Sequence, residues 1–250
     1  MPEKSMDIER DFDMVEIPVE GVAAYWLAIS KLLEGKKNSK ILEKEAEYTS
    51  EPYIRHLLEL CLTSLPDERL LELAAAKRDT LLAELARKFD LMRLTLLDMT
   101  ANENPRKTLA KMTAKFAAPP VSEDRAIELA QELSQAEPGQ NPRLYNVDHR
   151  MKNEQLVVAL LFYAGMARRE GKMALADFLE FVHSTFFTEG VHLVVDGFDG
   201  PFVRKRLRVH KEAILDEARH KMDMAAQLCV AVRGRLSYED VFRVARSYMA

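Results

Sequence analysis

Apolar side chains recur at three- and four-residue steps through the middle of the chain: Leu70, Leu73, Ala74, Leu81, Leu85, Phe89, Met92 and Leu96. Lys77 falls on the same stripe, where its methylene stem can lie along an apolar face while the ammonium reaches water. The spacing predicts one amphipathic helix from about Asp67 to Ala101, with Pro66 beside its first turn. The stretch from Gly35 to Gly139 has no glycine between its ends and is rich in Leu, Ala, Glu, Lys and Arg, the strong helix formers. A second run, Leu156 to Ala167, is apolar on every side and is bounded by Glu154 and Arg168. At about a dozen residues it is too short to span a bilayer and is expected as a buried helix.

Start and stop signals divide the rest. Asn104-Pro105 pairs an N-cap side chain with proline at the first helical position. Ser122 precedes Glu123 and Asp124, whose charge suits the positive end of a helix dipole. Ser237-Tyr238-Glu239-Asp240 has capping-box spacing, with Asp in place of the usual Glu or Gln. Ala117-Ala118-Pro119-Pro120 reads as a stop, and Glu137-Pro138-Gly139-Gln140-Asn141-Pro142 as a loop. Val191 to Val195, followed by Asp196-Gly197, reads either as a short strand before a turn or as the last turns of a helix that Gly197 caps. Together these signals predict an all-α, multi-helix chain of roughly eight to ten helices, in the lengths usual for globular proteins. The expected division is an N-terminal helical region over 1–103 and a second helical domain over 104–250.

Composition narrows the function classes. Of 250 residues, 48% are hydrophobic and 30% charged, enough for a core and a solvated surface. Lys and Arg number 36 against 40 Asp and Glu, a net charge of −4, which disfavours a chain held to nucleic acid by global charge. Met1 to Glu20 is dominated by charge and carries no apolar signal core, and no stretch is long enough to cross a membrane. The reading is a cytoplasmic protein.

Candidate chemistry is sparse. Glu217 and His220 stand at the i, i+3 spacing that puts a carboxylate and an imidazole on one helix face. A carboxylate-bridged di-metal bundle needs two such motifs and two further glutamates, and a single copy is present. Cys61 and Cys229 lack CxxC partners, so they read as buried thiols and not as a zinc site. Phosphate-binding glycine loops and serine nucleophile elbows are absent. The expectation is a non-enzymatic protein with no catalytic, cofactor-binding or metal-ligating residues, the alternative being a helical enzyme that uses Glu217 and His220.

The basic run after Pro201 changes the picture. Arg204, Lys205, Arg206, Arg208 and Lys211 crowd a predicted helix starting near Asp199. Phe202, Leu207, Ile214 and Ala218 are expected to face inward, which leaves the cations outside as a surface for an acidic partner or anionic headgroups. Aromatic side chains are not interleaved with the charges as a nucleic-acid binder would need.

One segment carries a family resemblance. Ala167-Arg168-Arg169-Glu170-Gly171-Lys172-Met173-Ala174-Leu175 is followed by Gly190-Val191-His192-Leu193-Val194-Val195-Asp196-Gly197-Phe198-Asp199, then by a charged helix ending Glu217-Ala218-Arg219-His220. This resembles the cytoplasmic segment of the flagellar motor stator A-subunit (MotA) family, shared with the TolQ and ExbB proton-channel proteins. The likeness covers about Asn104 to Asp223. It implies a helical cytoplasmic domain that meets flagellar motor proteins, either stator or rotor switch components, through charged residues. Arg168 matches the family's rotor-facing arginine; Gly171 and Leu175 match the turn that follows. Ala176 stands where the family's acidic residue is expected and Asp177 comes one place later, about 100° around a helix. The family's spanning helices have no counterpart here. The resemblance thus implies a scaffold or interaction component of the bacterial flagellar motor, built on a stator-like module without a channel. Arg168, Arg169, Asp177, Arg204, Lys205, Arg208 and Lys211 are its expected interaction residues, with contact at the membrane surface as the alternative. Nothing in the pattern sets an oligomeric state.

Overall fold

The computed structural model describes residues 12–33, 40–136 and 142–249, so the expected loop at Glu137–Pro142 lies, up to Asn141, outside the described residues. The chain is all-α. In order it forms α1 (Val19–Leu33), α2 (Lys40–Tyr48), α3 (Pro52–Cys61), α4 (Asp67–Thr100), α5 (Pro105–Thr113), α6 (Glu123–Gln135), a short 3-10 turn (Pro142–Tyr145) and α7 (Asn153–Arg169). A longer 3-10 segment (Lys172–Phe181), α8 (Thr185–Val195), α9 (Gly200–Arg233) and α10 (Tyr238–Arg246) complete it. Among the described residues there is no strand, and none of their helices is long and apolar enough to cross a membrane.

The caps are those the sequence encodes. Asn104 accepts from the Arg106 amide at 2.9 Å, and Ser122 from Arg125 at 3.4 Å. Ser237 accepts from the Asp240 amide at 3.2 Å while its hydroxyl donates to the Asp240 carboxylate at 2.7 Å, so the shorter Asp closes the box through the side chain. Val191 to Val195 is the end of a helix. Gly197, at φ +78°, lets the Phe198 amide reach Leu193 O at 3.1 Å and its own amide reach Val194 O at 3.3 Å, the paired bonds of a Schellman ending. Asn102, at φ +53°, ends α4 in the same way. Gly190 serves no turn. It lies inside α8, where an added Cβ would sit 2.2 Å from Leu96 Cδ1 of α4.

Two compact units share the chain, one made of Met1–Leu82 with Ile214–Ala250 and the other of Ala83–Ala213. This division differs from the expected boundary after Glu103, which falls within the second unit. The cuts pass through α4 and α9, and an uninterrupted helix leaves no glycine, proline or polar linker to mark such a point.

In the first unit Trp26, Tyr53, Ile54, Leu57, Leu70, Ala74, Ala225, Leu228 and Val241 are buried. Lys221 is also fully buried. Its ammonium donates to Val15 O at 3.0 Å and Ile17 O at 2.8 Å and pairs with Glu217 at 3.0 Å, which fixes the turn before α1 to α9.

The second unit is built around α7, where every residue from Leu156 to Ala164 is buried. Tyr145, Phe162, Tyr163, Phe178 and Phe187 form an aromatic cluster with neighbouring centroids 5.2–6.2 Å apart, the tilted and edge-on geometries that ring quadrupoles favour. The Tyr163 hydroxyl donates to Tyr145 O at 2.8 Å, and burial holds it protonated far above the ordinary phenol range. Lys88 reaches His149 O at 2.8 Å.

Candidate interaction surface

The expected interaction residues occupy three elements of the second unit. Arg168 and Arg169 stand in the last turn of α7. Arg168 donates to Asn102 O at 2.5 Å, and Lys172 donates to Thr100 O at 2.9 Å. Both cations therefore sit on the unpaired carbonyls at the C-terminus of α4, where the helix dipole favours positive charge. Arg169 pairs with its neighbour Glu170 at 2.7 Å. Asp177 is exposed on the long 3-10 segment, which packs against α7, and no ion pair among the described residues includes it.

The first half of α9 carries the remaining cations. Lys211 is half-buried and pairs with Asp90 of α4 at 2.9 Å, so its charge is neutralised within the unit. Arg206 pairs with Glu189 at 2.6 Å, and His210 contacts the other oxygen of the same carboxylate. Arg208 lies 4.0 Å from Glu212 with both side chains exposed, a contact worth little in water. Arg204 and Lys205 are exposed and have no ion-pair partner among the described residues.

Beside them the structure corrects one sequence expectation. Phe202 points outward, and Val203 takes the buried position one helical turn before Leu207. Adjacent residues stand about 100° apart on a helix, and here the core side takes Val203, in register with Leu207. Phe202 instead stacks on Phe198, centroids 4.8 Å apart at an interplanar angle of 20°. Phe202 is 46% and Phe198 41% exposed, so a pair of aromatic rings lies open. Lys205, three residues on from Phe202, shares its side of α9, whereas Arg204 is about 200° around the helix. Sequence reasoning missed this pair. The available signal was the Phe-Asp-Gly-Pro-Phe spacing, which brings the residue after a helix end close to the first turn of the next helix.

Compared with known proteins, the chain matches no family model, no curated protein and no solved structure.

Glu217 and His220, the residues of the alternative enzyme reading, lie in the first unit and turn to different partners. Glu217 pairs with Lys221, while the His220 Nε2 contacts Tyr248 O at 2.7 Å and its ring packs on the Tyr248 ring. A cavity of about 510 Å³ in the second unit is lined by apolar side chains such as Leu133 and Met151 together with Glu132, Arg143, Glu154 and Gln155, and none of the expected site residues reaches it. Its walls mix apolar area with charged and amide groups. Chemically, exposed cations without an ion-pair partner among the described residues suit an anionic surface, and the open Phe198–Phe202 stack offers flat apolar area that a partner can cover.

Proposed function

We propose that the protein is a non-enzymatic interaction or scaffold component associated with the bacterial flagellar motor, resembling a cytoplasmic stator domain without its channel. The observation that carries the reading is the exposure of Arg204 and Lys205 on α9 with no ion-pair partner among the described residues, cations free to meet an acidic surface of a motor protein. The stator-like segment Ala167–Asp199, folded as a helix end, a 3-10 segment and a capped helix, supports it. Arg168 is exposed as well, while it also holds the end of α4. Charges of this kind at a rim steer and orient an encounter more than they add affinity.

The test is binding of the full chain to purified flagellar rotor-switch and stator components. Binding is expected to weaken with salt, and the double reversal Arg204→Glu with Lys205→Glu to lower affinity by about tenfold or more without changing Tm, because among the described residues neither side chain has an ion-pair partner. Binding that ignores the reversal removes the electrostatic surface from the proposal. No binding to any purified component removes the motor role.

The exposed rings favour one second reading, a peripheral adaptor on anionic membrane. Aromatic and basic side chains together suit the headgroup layer, each cation contributing about 1 kcal/mol near the surface. Salt-sensitive flotation with phosphatidylserine vesicles, in the absence of any protein partner, would select it.

A further inference from the structure

Cys61 ends α3 and Cys229 lies in the second half of α9, both within the first unit. They are 168 positions apart in sequence, yet their sulfurs are 2.9 Å from each other. A covalent disulfide measures about 2.05 Å, so a shift of less than 1 Å separates these thiols from a bond. Cys61 is partly exposed, whereas Cys229 is buried and donates to Leu57 O at 3.3 Å. The Cys61 contact first, and burial second, push the Cys229 thiol well above the ordinary range, so it keeps its proton while Cys61 meets solvent.

We propose that Cys61 and Cys229 form a reversible redox staple, in which hydrogen peroxide converts the paired thiols to a disulfide that ties α3 to α9. The Cys61 thiolate attacks one peroxide oxygen; the O–O bond breaks and the leaving hydroxide takes up a proton to become water. Cys229 then attacks the sulfenic sulfur of Cys61. The S–S bond forms, the S–O bond breaks, and the departing hydroxide leaves as a second water with the proton that Cys229 releases. The two thiols lose two electrons in all, and the peroxide gains them.

The position of the pair gives the bond a consequence. The first unit is assembled from the two ends of the chain, with the whole second unit inserted between them. A link across the insertion closes a long loop in the unfolded state and so favours the folded one. Reduction by a dithiol returns the unit to its thiol form, the behaviour of labile rather than structural bridges.

Hydrogen peroxide applied to the full-length folded chain tests the proposal, with thiol counting and peptide mass analysis as readouts. The thiol count is expected to fall from two to zero. Trypsin should release peptide 56–69 joined to peptide 222–233, with two hydrogens lost, and dithiothreitol should separate them. Linking should be at least about tenfold faster in the folded chain than in urea, because the fold holds the sulfurs together. The oxidised chain should melt at least about 5 °C higher than the reduced one. In Cys229→Ser, Cys61 should accumulate as a sulfenic acid that dimedone traps. Should that variant fail to fold, the peptide and melting data on the natural chain decide alone. Conversion of Cys61 to sulfinic acid beside an intact Cys229 thiol, linking no faster than in urea, or an unchanged Tm overturns the staple.

Discussion

Gly190 and Leu96 offer a sharp test of the packing that positions α8 against α4. Gly190 is inside α8, and the three atoms nearest the methyl of an alanine there are Leu96 Cδ1 at 2.2 Å, Cδ2 at 3.0 Å and Cγ at 3.1 Å. Carbon atoms in good contact lie about 3.5–4.0 Å apart, so the Leu96 tip must retreat by more than 1 Å in a site where it is fully buried. Overpacking of that size costs about 1–3 kcal/mol, against about 1 kcal/mol gained by replacing glycine in a helix. Gly190→Ala alone is therefore expected to destabilise by about 1 kcal/mol. Leu96→Ala alone should cost about 2–5 kcal/mol through lost contacts and the cavity it leaves. That substitution also deletes all three clashing atoms. In its background Gly190→Ala should stabilise by about 1 kcal/mol, which makes the coupling about 2 kcal/mol and gives the second substitution opposite signs in the two backgrounds. Urea unfolding followed by far-UV circular dichroism measures the cycle. Additivity within about 0.5 kcal/mol would show that α8 does not rest on Leu96 through this glycine.

Two further outcomes follow from buried polar groups. Lys221→Met keeps side-chain length but removes the donor to Val15 O and Ile17 O; a loss of about 2 kcal/mol is expected in urea unfolding, and a loss under about 0.5 kcal/mol would show that those carbonyls do not depend on Lys221. For Asp148, burial would raise the pKa, but the Arg150 side chain and amide and the neighbouring His149 outweigh it and hold the carboxyl below its ordinary range. The folded pKa lies below the unfolded value of about 3.9, so its contribution is complete above that value and is lost as pH falls through the folded one. Asp148→Asn should lower stability at neutral pH and flatten the acid limb of a Tm–pH curve; an unchanged slope below about pH 4 would refute the assignment.

Much of the architecture was legible because it is local. The stripe from Leu70 to Leu96 is a 3.6-residue pattern, and Leu70, Ala74, Leu85, Phe89, Met92 and Leu96 are buried as it requires. Asn104, Ser122 and Ser237 each serve an amide two or three residues away, a distance at which sequence alone specifies the bond. Val191 to Val195 was ambiguous for a local reason too: over five residues β-branched content supports a strand and a helix end equally, and the Phe198–Leu193 bond that decides it depends on Gly197 taking positive φ. The buried ammonium groups were illegible. Lys88 and Lys221 meet carbonyls 61 and more than 200 residues away, and before those partners are placed a lysine on a helix reads as solvated.

The same distinction governs the surface. Charge was countable from sequence, but whether a cation is available to a partner depends on what the fold sets beside it. Lys211 faces Asp90, 121 residues earlier, and Arg168 faces Asn102, 66 residues earlier, so neither presents its charge to a partner as freely as the sequence implied. Among the described residues Arg204 and Lys205 have no such neighbour, and Phe202 is exposed on the same helix because Val203 has taken the core position. Charge reversal at Arg168 would place an anion on the C-terminal carbonyls of α4 and confound binding with stability. Reversal at Arg204 and Lys205 changes the surface alone. A test drawn from the sequence reverses Arg168 and Arg204 together, and what separates the two is a backbone carbonyl at Asn102 that no periodicity could have located.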